Sequence, residues 1–153
     1  MSGSLTFWMG KYEATFPTDR LYAKNHMWAL PQDGGTIRFG FTAYAVRLLQ
    51  DVYFLDWSID APTDLTVKQL LGSIESKKAE SELYAPIGGR LTCFNRTLLK
   101  DPSGINVDPY GEGWLFEIEG PRDLLLSPEA YLAHLEDAWV VAQRTIKGQM
   151  NED

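Results

Sequence analysis

The chain has 153 residues, 14 basic against 21 acidic side chains, 44% hydrophobic residues and one cysteine. That length suits a single domain, and a formal net charge of −7 opposes nonspecific nucleic-acid binding, because a phosphate backbone is met by clustered Lys and Arg. One cysteine builds neither an internal disulfide framework nor a zinc cluster, and two histidines, His26 and His134, leave little for a His-rich metal centre.

Met1 to Lys11 lacks the basic leader and the long apolar stretch of a secretion signal. No uninterrupted apolar run approaches the roughly 18 residues of a membrane span, so no membrane partner is expected and the cytoplasm is the expected location. Residues 1–20 read as an N-terminal extension whose aromatics, Phe7, Trp8, Tyr12 and Phe16, pack on the parent domain, with a partner-docking surface as the alternative. The body, 21–126, reads as short strands separated by turns. Asp33-Gly34-Gly35 is a turn signal before the partly alternating strand Thr36–Phe41, and Val52–Trp57 is rich in β-branched and aromatic residues. Between them Thr42–Leu49 holds enough helix formers for one or two turns. Further strands are expected at Leu70–Glu75, Glu82–Ala85, Arg90–Asn95 and Trp114–Glu119, with Asp101-Pro102, Asp108-Pro109 and Tyr110–Gly113 as turns. Many short strands punctuated by Gly, Pro and Asp predict a sandwich or flattened barrel. Residues 127–153 differ: Ser127-Pro128-Glu129 supplies a cap, a first-position proline and a first-turn acid. Tyr131, Leu135, Ala138, Ala142 and Ile146 then recur at helical spacing, predicting a helix from Pro128 to Lys147 packed on the same domain, with a frayed tail after Gly148.

The chemistry lies in Leu71–Gly89. Two apolar, strand-like arms flank a small polar tip with two adjacent lysines, Lys77 and Lys78. A lysine projecting from such a tip is poor at general-base catalysis, which needs burial and a shifted pKa, but it is open to covalent modification by another enzyme. Glu75-Ser76-Lys77-Lys78-Ala79 followed by Leu83-Tyr84-Ala85-Pro86 resembles the lipoylation segment of the glycine cleavage system H protein family. Asn106-Val107-Asp108-Pro109-Tyr110-Gly111-Glu112-Gly113-Trp114-Leu115 resembles that family's second signature, and Tyr22–His26, Trp28 and Gly40–Ala45 are similar to its first strand and helix.

The resemblance implies a mainly β fold of the lipoyl type, a barrel-sandwich hybrid, with a C-terminal helix. It implies a cofactor-carrying component of a multienzyme system rather than an enzyme, with lipoate in amide linkage on Lys78, attached by a lipoate ligase or lipoyl transferase. Glu75 and Gly89 match positions through which a ligase reads the hairpin. Biotin carriers place methionines around their lysine; Lys77 and Ala79 stand there instead, which favours lipoate.

The resemblance also implies a cleft that receives the loaded arm. The family's His-Glu-Trp run is His26-Met27-Trp28 here, with Asn25 before it and Glu82 downstream at a position usually held by aspartate. An aminomethyl cargo bears an ammonium, which a thioether cannot neutralise. An apolar Met27 wall suits sulfur-bearing or uncharged cargo. The reading therefore leans to the H-like lipoate-binding proteins of bacterial sulfur oxidation, working with a heterodisulfide-reductase-like complex. The alternatives are a glycine cleavage H protein carrying aminomethyl groups and a binding module without lipoate. An autonomous enzyme is disfavoured: Cys93 reads as buried filler in a strand, His26 as a structural residue bonded to a neighbouring strand, and no Ser/His/Asp set stands out.

Overall fold

The structure, a computed structural model, describes residues 3–152, with side chains through Arg144. Alternation builds the first hairpin. In β1 (Ser4–Met9) Leu5, Phe7 and Met9 point inward while Thr6 and Trp8 are exposed, and β2 (Tyr12–Pro17) answers with Ala14 and Phe16. The strands pair from Met9↔Tyr12 to Ser4↔Pro17, turning at Gly10, whose φ of +65° lies in the left-handed region. The predicted lead-in is thus a β-hairpin.

The body follows as β3 (Leu21–Tyr22), β4 (Met27–Pro31), β5 (Thr36–Phe41), α1 (Ala43–Leu49), β6 (Val52–Trp57), β7 (Thr63–Leu65), β8 (Leu70–Ser76), β9 (Glu80–Tyr84), β10 (Gly89–Phe94), α2 (Arg96–Lys100), α3 (Gly104–Val107), β11 (Phe116–Glu119) and α4 (Pro128–Glu152). Six strands form one sheet in the order β3-β4-β5-β11-β10-β7, and β6-β8-β9 form a second. The inner faces meet in one core: Ile37 and Phe39 of β5, Leu91 of β10 and Ile118 of β11 join Leu55, Leu71, Ile74 and Leu83 of the smaller sheet. The sheets do not close into a barrel; the architecture is a barrel-sandwich hybrid with a C-terminal helix. Among the described residues no helix is long and apolar enough to cross a membrane.

A second, aromatic core joins the β1–β2 hairpin to the rest. Tyr22 stacks on Tyr131 at 4.8 Å between ring centroids, and Phe16 meets Tyr131 edge-on at 5.4 Å. Each buried ring contributes about 2–3 kcal/mol. Met9, Tyr44 and Leu135 complete this layer, with Leu48 of α1 and Trp139 of α4 packed against it.

Helix starts follow the sequence. Thr42 Oγ1 accepts from Ala45 N at the head of α1, and Ser127 Oγ accepts from Ala130 N at the head of α4. The far end of α4 differs. It runs through Gly148 to Glu152, since one glycine costs a helix only about 1 kcal/mol; the Ile146 side chain lies outside the described residues. Elsewhere boundaries shift because side chains take other jobs. Asn95, expected to end a strand, caps α2 by accepting from Thr97 N at 3.2 Å.

Candidate functional site

Residues Lys77, Lys78 and Ala79 connect β8 to β9, with Glu75 opposite Glu80 at the last paired row. Ser76 closes the turn: its N–H donates to Ala79 O at 2.9 Å, its hydroxyl donates to the same oxygen at 3.0 Å, and Ala79 N donates back to Ser76 Oγ at 3.2 Å. The tip is also tied to the end of α1. Lys77 N donates to Gln50 O at 2.9 Å and Lys78 N to Leu49 O at 3.2 Å. Both lysine side chains are exposed, so the backbone is held while the amines stay in solvent.

Beside the hairpin lies a cleft of about 180 Å³ between α1 and β9. It brings together Asn25, Met27 and Glu82, the three residues the sequence assigned to an arm cleft, with apolar walls that include Phe41, Leu48 and Ile74. Met27 is only 1% exposed and belongs to the main core as well as to the cleft. Glu82 is exposed and accepts a short hydrogen bond from the Tyr84 hydroxyl, which pushes the Tyr84 phenol above its ordinary range. Asn25 Nδ2 donates to Tyr84 O at 3.1 Å, joining the loop before β4 to β9 across one end of the cleft. Reading the sequence misses Tyr84 and the carbonyls of Leu49 and Gln50. Backbone acceptors leave no residue-type signal, and Tyr84 signals only as an aromatic two residues beyond Glu82.

Glu75 is half-buried in β8, close to the tip, with Phe54 and Glu80 as cross-strand neighbours. Gly89 is elsewhere. It starts β10 in the larger sheet, opposite Leu65, with φ +136°, and a Cβ there would lie 2.2 Å from Glu119 O. Those two constraints alone call for glycine.

His26 bonds not to a strand but to α4: its Nδ1 lies 2.9 Å from the Tyr131 hydroxyl, and that hydroxyl lies 2.9 Å from Thr42 Oγ1. His26 has a left-handed backbone (φ 68°) at the end of the turn that leads into β4. Burial, with the nearby His134 stacked at 5.6 Å, pulls the His26 pKa down to about 4. The folded form therefore resists a proton that the unfolded chain accepts near pH 6.5, so stability falls as pH drops through that interval. Between pH 7 and pH 5 the loss attributable to His26 is about 2 kcal/mol. Urea midpoints at both values should show it in the native chain and not in His26→Asn, asparagine being tolerant of the left-handed backbone.

Cys93 in β10 is half-buried rather than fully buried, and burial followed by the charge of Glu117 raises its thiol, so it is no activated nucleophile.

A two-sheet frame carrying a lysine-tipped hairpin beside a cleft defines a protein of the lipoyl-domain fold class. The chain belongs to the glycine cleavage H-protein family, whose profile matches residues 20–142. It is 38% identical over 128 residues to the glycine cleavage system H protein of Mycolicibacterium vanbaalenii, covering 79% of this chain and 97% of that one. Against the Thermus thermophilus glycine cleavage system H protein the identity is 39% over 125 residues, covering 78% and 95%. The crystal structure of a glycine cleavage system H protein from Mycobacterium marinum superposes with a TM-score of 0.68 at 31% identity, covering 79% of this chain and 99% of that one. The sulfur-oxidation assignment expected from Met27 gains no support from these relatives; the glycine-cleavage alternative is the better supported. The β1–β2 hairpin precedes the matched region.

Proposed function

We propose that this chain is the lipoyl carrier of a glycine cleavage system, bearing lipoate in amide linkage on Lys78 and moving aminomethyl groups between partner enzymes. Proteins of this family carry lipoate on a lysine, and the resemblance of the Glu75–Ala79 segment to the family's lipoylation segment favours Lys78. The observation that carries the reading is the exposed Lys78 side chain on a backbone anchored to α1, beside a cleft with apolar walls. A long flexible arm from that point raises the effective concentration of its end at several partners. When bound, lipoate supplies a strained disulfide that is readily exchanged or reduced.

The residues of the cleft suit such a group. Phe41, Ala45, Leu48, Leu49 and Ile74 offer apolar surface to an acyl chain, and the Glu82 carboxylate at the cleft offers a counter-charge to an aminomethyl ammonium. Met27 supplies none, but its burial in the core accounts for an apolar side chain without reference to cargo. Glu75, with the acidic ladder beside the tip, is the element a ligase or lipoyl transferase would read; Gly89 would act there only through the fold.

The test is intact mass after incubation with lipoate, ATP and a lipoate ligase. A single lipoyl increment is expected, and its absence with several ligases would leave an unmodified binding module. Given the increment, the lipoylated chain should accept aminomethyl from glycine in the presence of a glycine decarboxylase. A lipoylated chain that accepts none would return the sulfur-oxidation reading.

A further inference from the structure

We propose that Asn106 is a positioning residue for the modified lysine: it pins Val52, and through Val52 the Gln50–Asp51 loop whose end holds the backbone of Lys77 and Lys78. The geometric part stands alone; its consequence for acylation rests on the lipoyl-carrier reading above.

The Asn106 carboxamide engages one residue in both directions. Val52 N donates to Asn106 Oδ1 at 2.8 Å, and Asn106 Nδ2 donates to Val52 O at 2.9 Å. The side chain thus imitates a neighbouring strand at the first residue of β6, satisfying two backbone groups at once. The one-turn helix that carries Asn106 is seated firmly. Ile105 is fully buried, Asp108 N donates to Gly104 O at 2.9 Å, and Gly113 N donates to Asp108 O at 2.9 Å. A Cβ at Gly113 would stand 2.4 Å from Gly104 O, so only glycine lets the following turn close against α3.

What Asn106 pins is unusual backbone. Gln50 has φ 50° and ψ 124°, and Asp51 has φ 49°: two consecutive non-glycine residues in positive-φ conformations. Such conformations persist where surrounding contacts over-determine them. On one side Gln50 N donates to Val46 O at 2.9 Å; on the other Val52 is held by Asn106. So fixed, the carbonyls of Leu49 and Gln50 face the hairpin and accept from Lys78 N and Lys77 N. The signature segment from Asn106 to Leu115 thereby gains a role at the site although it supplies no side chain to the cleft.

The consequence is selectivity between two adjacent, exposed amines. A modifying enzyme distinguishes Lys78 from Lys77 only if the tip presents them in fixed directions. Without Asn106, Val52 keeps its place opposite Ser76 of β8 but loses the two bonds to the carboxamide, so the loop loosens, the tip's two backbone acceptors are less firmly held, and Lys77 can take the place of Lys78.

The experiment uses the full chain with Asn106→Leu, which removes both bonds at nearly constant size, and Asn106→Asp, which keeps the acceptor for Val52 N. In unmodified protein, amide hydrogen exchange at Val52, Lys77 and Lys78 should quicken about tenfold in Asn106→Leu, with Ile37 and Ile118 of the larger sheet unchanged and Asn106→Asp intermediate. After incubation with lipoate and ligase, peptide mapping should find label on Lys78 alone in the native chain and divided between Lys77 and Lys78 in Asn106→Leu. Unchanged exchange at the tip, or an equal rise across both sheets, overturns the clamp. A loosened tip that still takes label only on Lys78 at the native rate overturns its role in selectivity. Should the native chain take no label at all, the carrier reading falls, while the exchange result still decides the clamp.

Discussion

Replacing Lys78 with arginine should abolish lipoate uptake and leave the fold intact. A guanidinium stays protonated throughout the accessible pH range and offers no nucleophilic amine. The side chain is exposed and sits outside both cores, so the urea midpoint should move by no more than about 0.5 kcal/mol in equivalent stability. Lys77→Arg should retain the full lipoyl mass increment. If label survives in Lys78→Arg and vanishes in Lys77→Arg, the attachment point moves by one residue and the alignment of the tip is wrong.

Gly89→Ala should destabilise the fold by several kcal/mol while the molecules that stay folded take lipoate as the native chain does. Its φ of +136° excludes ordinary side chains, and the added Cβ would meet Glu119 O at 2.2 Å and Gly120 Cα at 3.0 Å. Both obstacles are backbone atoms, one at the end of the paired strand β11 and one just beyond it, which cannot swing aside as a flexible side chain would. Together they cost roughly 3–5 kcal/mol, against a total stability of about 5–15 kcal/mol for a domain of this kind. A urea titration measures the first quantity, and lipoylation of the remaining folded fraction measures the second. A recognition residue would behave oppositely, with stability unchanged and the ligase slowed. That outcome would restore Gly89 to the surface a ligase reads.

Much of this frame was legible because periodicity is local. Thr36–Phe41 and Val52–Trp57 appear as strands within the expected bounds, and Ser127 caps the helix its position implied. The cleft residues Asn25, Met27 and Glu82 were also legible, through the family's motif rather than through any pattern of their own. The first hairpin was missed although Leu5, Phe7 and Met9 alternate before Gly10; density of aromatics hid the period-two signal. Met27 misled in a different way. A methionine at 1% exposure is what core packing asks for, so its identity says little about cargo. The bonds from Lys77 and Lys78 to the end of α1 left no trace at all, because they join main-chain atoms distant in sequence and any residue could have made them.

The β1–β2 hairpin reaches the cleft through the aromatic layer, where Phe16 meets Tyr131 and Tyr131 bonds to His26 of the cleft lining. Its inner face packs into the aromatic layer, Leu48 of α1 packs against that same layer, and Leu48 also lines the cleft. An accessory ahead of the shared family region is therefore packed against two parts of the cleft wall, α1 and His26. Substitutions in this buttress would reshape the cleft from behind, with every side chain that lines it left unchanged.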